Sequence, residues 1–157
     1  MKRNTAELKE KLIATGVEEI RTRGVDQLSI RTVAQRCGVT HGAPYKHFEN
    51  KDVYLQVVLE HLSEIFLKYL TKGVDSSLDV RGQLVLMGCN FVGFAQKETN
   101  SFEALFIKFP FNYMELTRDS ISVNAHLPGF EHVKSVVLKL QSNMNISGSE
   151  AEILVHI

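Results

Sequence analysis

Residues 29–51 read SIRTVAQRCGVTHGAPYKHFENK, and this stretch decides how the rest of the chain is understood. Ser29 stands where a helix N-cap is preferred, Gly38 where a left-handed residue ends a helix, and Thr40 at the N-cap of a second helix. The spacing predicts two short helices joined by a tight turn. Ile30, Val33, Ala34 and Cys37 share one face of the first, while Val39, Pro44 and Phe48 point the turn and the second helix into the same core. At about 100° per residue, the direction opposite Pro44 and Phe48 is occupied by Gly42, Ala43 and Lys46, with Tyr45 and His47 on either side. Small residues let a backbone approach a surface, a cation offers donors to base edges, and flanking hydroxyl and imidazole groups reach phosphates. This is the layout of a helix that enters the major groove of a duplex.

From about Leu8 to Leu59, roughly a third of the chain, the sequence resembles the DNA-binding domain of the TetR/AcrR family of bacterial transcriptional regulators. Val33, Ala34, Gly38 and Val39 match that family's Ile-Ala-Gly-Val pattern, and Tyr45, Phe48 and Lys51 match its Tyr-x-x-Phe-x-x-Lys ending. The resemblance implies an all-α fold: a three-helix helix-turn-helix DNA-binding domain at 1–52, then a helical effector-binding and dimerisation domain at 53–157. It assigns Thr40, Tyr45, His47 and Lys51 to phosphates and His41, Gly42, Ala43 and Lys46 to the groove. Arg31 and Thr32 then sit beside the adjoining backbone. Two departures matter: Ala43 offers at most a methyl contact with thymine, and Pro44 lacks a backbone donor in its first turn.

The implied function is a repressor, acting as a homodimer on a double-stranded DNA operator and released by a small hydrophobic effector. An activator, or a DNA-bound adaptor that recruits another protein, would share the head and differ in its partner. A helical enzyme or carrier of a hydrophobic molecule is the rival from another class, but no phosphate loop or nucleophile motif is present. His126 and His132 do not have metal-ligand spacing, so no metal or cofactor is expected.

Composition sets the bounds. With 157 residues, 44% of them hydrophobic, the chain suffices for one large domain or for a small domain plus a medium one. No run approaches the ~18 apolar residues of a membrane span, so no membrane partner is expected. The start MKRNTAELKEK has no apolar segment behind its charges, which argues against a signal peptide and for a cytoplasmic location. Net charge is zero, yet up to Val53 ten Lys or Arg face seven Asp or Glu, a mildly basic head on an acidic remainder. Cys37 and Cys89 have no metal or redox spacing and read as buried small hydrophobes.

The remaining helices follow from caps and periodicity. Asn4 and Glu7 make a capping box for a first helix that Gly24 closes, with Lys2, Arg3 and Thr5 near its N-terminal end. Asn50 caps a long helix to about Leu70 that bridges head and second domain. Lys51 in its first turn opposes the helix dipole and so suggests an outside anion. A further helix is expected from Ser77 to Gln96, with Leu84, Met87, Phe91, Val92 and Ala95 inside. Asn100 and Glu103 make a capping box for a short helix ended by Pro110. Residues 111–127 read as a loop with one helical turn near Met114, and Pro128 opens a helix carrying Phe130, Val133, Val137 and Leu140. Ser149 opens another that stops unfinished, so the C-terminal helices of the resembled family look truncated.

Phe66, Met87, Phe91, Phe102, Phe106, Phe109, Tyr113 and Met114 concentrate aromatic and adaptable side chains in the second domain. Each alone is ordinary core. The resemblance makes them candidates to line an apolar effector pocket.

Overall fold

The structure is a computed structural model. It describes residues 5–75, 77–108, 114–116 and 121–123, together with His132, Ser135, Val136, Leu138, Lys139 and Ser142. In order come α1 (Thr5–Arg23), a 3-10 turn (Val25–Gln27), α2 (Ile30–Arg36) and a 3-10 turn (Pro44–Lys46). Then follow α3 (Lys51–Leu70), α4 (Val80–Lys97), α5 (Thr99–Phe102), a π-helical turn (Glu103–Lys108) and a strand pair, β1 (Met114–Leu116) with β2 (Ile121–Val123). The architecture is helical, as expected.

Two compact units divide the chain, Met1–Leu62 with Glu98–Phe109, and Ser63–Lys97 with Pro110–Ile157. The first therefore runs beyond the 1–52 span, taking in most of α3 and reclaiming residues after α4.

In the first unit α1 buries Leu12, Ile13, Gly16, Val17, Glu19 and Ile20 along one side. Leu12, Gly16 and Ile20 recur every four residues, the spacing of one helix face. Tyr54 of α3, fully buried, lies against that face and donates a hydrogen bond to the Leu12 carbonyl at 2.8 Å. Gly16 leaves room for the phenol: a Cβ there would collide with the Tyr54 hydroxyl and stand 2.8 Å from Val58 Cγ2. Burial pushes the Tyr54 phenol well above its ordinary pKa, with Cys37 and Glu19 adding smaller contributions. Gly24, at φ 83°, ends α1 and donates to the Ile20 carbonyl at 2.8 Å.

The segment after α4 is held to α1 by polar groups. Arg21 donates twice to the Glu98 carboxylate, at 3.0 and 2.6 Å, and Asn100 Nδ2 donates to the Arg21 carbonyl at 2.9 Å. That pairing raises the Arg21 pKa and lowers that of Glu98. Lys108 pairs with Asp26 and, at 3.2 Å, with Glu103. Asn100 is therefore not a capping residue: Glu98 occupies the N-cap, and the Asn100 amide instead satisfies one of the last, orphaned carbonyls of α1.

In the second unit Phe94 stands edge to face with Phe66 at 5.0 Å and with Tyr69 at 5.5 Å, and Phe91 meets Phe66 at 6.1 Å. Such pairs add to area burial. The buried α4 positions are Met87 and Phe94, with Phe91 half-buried, while Val92 lies outside, 54% exposed, contrary to the sequence expectation. Asp79 rather than Ser77 caps α4, accepting from the Gly82 amide at 2.7 Å. Ser77 instead donates to Asp75, which lowers that carboxyl's pKa. Asn90 Nδ2 donates to the Leu70 and Lys72 carbonyls at 2.8 and 2.9 Å, tying α4 to the end of α3.

Two further expectations fail. Cys89 is exposed, whereas Cys37 is buried as read. Residues 114–116 form an antiparallel strand pair with 121–123, Met114 opposite Val123, in place of a helical turn. Helical conformation at His132, Ser135, Val136, Leu138, Lys139 and Ser142 falls within the helix expected after Pro128. Its apolar positions Phe130, Val133, Val137 and Leu140, the opening positions Lys2, Arg3 and Asn4, and the segment from Ser149 lie outside the described residues.

Candidate nucleic-acid interface

The interface is built from α2 outward. Ser29 Oγ accepts from the Thr32 amide at 3.5 Å, capping α2 as its sequence foretold. At the other end Gly38 takes φ 73°; its amide donates to the Gln35 carbonyl and the Val39 amide to the Ala34 carbonyl, both at 3.0 Å. These two bonds are a Schellman closure, which needs a residue free to enter the left-handed region. Lys11 adds a donor to the Cys37 carbonyl at 3.2 Å, a cation at a helix C-terminus.

The second element differs from the regular helix expected from Thr40. Thr40 accepts through its carbonyl, from the Ala43 amide at 3.0 Å, and helical hydrogen bonding continues only as the 3-10 turn Pro44–Lys46. Pro44 is the physical reason. With no N–H it cannot continue an i to i−4 ladder from Thr40, so the chain closes tighter i to i−3 turns around it. The His47 and Phe48 amides then both converge on the Pro44 carbonyl, at 2.9 and 3.0 Å. Asn50 follows as the cap of α3, its side chain accepting from the Val53 amide at 2.9 Å.

Pro44 and Phe48 are buried beneath this short element. The Phe48 ring meets Tyr54 edge to face at 5.0 Å, and Lys9 Nζ lies 5.9 Å from its centroid. The outward side is thus mounted on a ring pair fixed to α1 and α3. His41, Gly42, Tyr45 and Lys46 are exposed, as are Arg31, Thr40 and Lys51; Thr32, Ala43 and His47 are half-buried. A Cβ at Gly42 would meet nothing within 4 Å, so no internal packing demands glycine there.

Sequence reading missed the groups that orient α2. Glu19, 1% exposed on the apolar face of α1, pairs with Arg36 in the last turn of α2 and, at 3.8 Å, with Arg23. A carboxylate seven residues after Leu12, on the same face, was the available signal. Its Oε2 has no hydrogen-bond partner among the described residues.

The aromatic candidates divide between the units. Phe66, Met87 and Phe91 belong to the second, the first two buried in its core. Phe102 and Phe106, ring centroids 5.0 Å apart, belong to the first. The side chain of Met114 and all of Phe109 and Tyr113 lie outside the described residues. No helix among the described residues is long and apolar enough to cross a membrane.

Residues 12–56 match the family model described as Bacterial regulatory proteins, tetR family. The HTH-type nicotine-responsive transcriptional repressor HdnoR of Paenarthrobacter nicotinovorans is 31% identical over 81 residues, 52% of this chain and 42% of that protein. The Probable acrEF/envCD operon repressor of Escherichia coli (strain K12) is 29% identical over 109 residues, 66% of this chain and 49% of that protein. The matches thus span less than half of either curated relative. A solved TetR family protein from Vibrio parahaemolyticus shares the fold, with a TM-score of 0.55 at 17% identity, over 91% of this chain and 70% of its own. The match to the tetR family model thus covers residues 12–56, the helix-turn-helix and the start of α3.

Proposed function

We propose that the protein is a cytoplasmic transcriptional regulator that docks the 40–48 element in the major groove of an operator and represses the gene it covers. The observation that carries this reading is the outward side of that element: His41, Gly42, Tyr45 and Lys46 are exposed on a mount made of Pro44, Phe48 and Tyr54. In this reading Lys46 and His41 face base edges, while Thr40, Tyr45, His47 and Lys51 hold phosphates, beside Arg31 and Thr32. Two chains, as a homodimer, would present two such elements about one helical turn, ~34 Å, apart on a near-palindromic site.

A small hydrophobic effector would favour a spacing unsuited to that site, acting through α3. The ring contact of Phe66 with Phe91 and the burial of Met87 support an apolar ligand in the second unit, and one relative is described as nicotine-responsive.

Selection of bound fragments from random duplex DNA, followed by fluorescence titration, tests the reading. Lys46→Ala should lower affinity and relax sequence preference at one position. Recovery of no enriched duplex, or a Lys46→Ala protein with unchanged affinity and preference, would overturn the docking. Addition of hydrophobic candidate ligands to the selected complex should release the DNA.

A further inference from the structure

The turn Glu103–Lys108 is π-helical, directly after the α-helical residues Thr99–Phe102. This register is rare because its hydrogen bonds are poorer, and where it occurs it is usually a single turn held by its surroundings. The holding groups are visible. Glu98, joined to α4 by one peptide bond, is gripped by Arg21, and Asn100 by the Arg21 carbonyl. At the far end Lys108 is seated on Asp26 and on Glu103, the latter at 3.2 Å. Residues five apart stand one above the other only in a π register, since in an α-helix five residues turn through about 500° and leave the pair about 140° apart.

We propose that residues 103–108 form a two-register segment, π-helical while Lys108 sits on Asp26 and α-helical when it does not, whose register sets how firmly the α1–α2 connection is held. Asp26 lies in the 3-10 turn Val25–Gln27, whose next residues are buried Leu28 and the α2 cap Ser29. A change to the α register swings Lys108 by about one residue's turn, ~100°, and takes it off Asp26. The connection is then free to loosen, and with it the first turn of α2, where Arg31 and Thr32 stand. The ion pairs at Lys108 are solvent-exposed and individually weak, so they bias the register without locking it. A small change at either ion pair is then enough to shift the balance. The consequence for DNA rests on the function proposed above; the register itself does not.

Amide hydrogen exchange reads the device directly. The amides of Gln27 and Leu28 donate within the connection, at 3.2 and 3.1 Å, and that of Tyr54 donates to Asn50 at 3.2 Å in α3. Lys108→Gln and Asp26→Asn should each speed exchange at Gln27 and Leu28 by about two- to fivefold and leave Tyr54 unchanged. Deleting Ile107, an exposed residue, removes the extra residue of the π turn and should keep the clamp closed in an α register, with Gln27 and Leu28 as slow as in the parent. Unchanged exchange in both point variants would overturn the proposal, as would a deletion variant that loosens as they do. On a selected duplex, Lys108→Gln should weaken binding with the salt slope unchanged, unlike loss of a phosphate contact. A parent protein that selects no duplex would refute the DNA reading while the exchange result still judges the register.

Discussion

The Tyr54 hydroxyl occupies the space that a side chain on Gly16 would fill. Sequence places the two residues on different helices; packing makes them one feature, because the phenol must pass α1 to reach the Leu12 carbonyl. Gly16→Ala should therefore destabilise the protein by about 1–3 kcal/mol in denaturant titrations, despite alanine's better helix propensity. Tyr54→Phe should cost about 0.5–1.5 kcal/mol for the lost hydrogen bond. The double variant should be more stable than the sum of the two losses predicts, since the collision involves the hydroxyl.

Glu19 and Arg36 should behave as a unit. Arg36→Met leaves a carboxylate, almost wholly buried, with only the more distant Arg23, at an expected cost of about 1–3 kcal/mol. Glu19→Met with Arg36→Met should recover most of that loss. If the double variant is no better than Arg36→Met alone, the cost lies in the arginine's own packing.

Acid should open the contact between Arg21 and Glu98. The Glu98 carboxyl is held below its ordinary pKa, chiefly by the hydrogen bonds from Arg21. A carboxylate lowered in this way contributes stability that is fully present above its unfolded pKa and is lost as pH falls through the folded value. Denaturant midpoints measured downward from neutral pH should stay level until the ordinary glutamate range, about 4.3, and then fall. Glu98→Gln should flatten part of that acid limb.

Lys51 should separate stability from binding. As the first residue of α3 it sets a cation against the positive end of the helix dipole. Lys51→Gln should leave thermal stability unchanged or raise it by a few tenths of a kcal/mol, while lowering duplex affinity for all sequences alike and reducing the salt slope by about one. Loss of both stability and affinity would mean that Lys51 supports the fold instead.

What sequence made legible is local. The Ser29 cap, the Gly38 closure and the Asn50 cap depend on residues within a few positions of one another, and all three form as read. Misreadings arise where a distant group competes. Asn100 had capping-box spacing with Glu103, yet its amide is taken by a carbonyl 79 residues earlier. Nothing next to Glu19 in sequence signals its partner Arg36, 17 residues on. Val92 and Phe94 are both apolar and two residues apart, so periodicity alone did not decide which faced inward; the aromatic partners Phe66 and Tyr69 decide it for Phe94. The outward side of the 40–48 element was legible because exposure there follows from a short motif, whereas its 3-10 form turned on the single missing N–H of Pro44.

Because the first unit takes back Glu98 and its followers after the chain has made α4, it has a particular order of completion during synthesis. Arg21 and Asp26 leave the ribosome some eighty residues ahead of Glu98 and Lys108. Until then the Arg21 carbonyl, in the last turn of α1, lacks the Asn100 amide. A nascent chain halted before α5 should therefore present the 40–48 element on a base that is not yet finished, and maturation of the head would be timed by the arrival of a segment encoded well downstream of it.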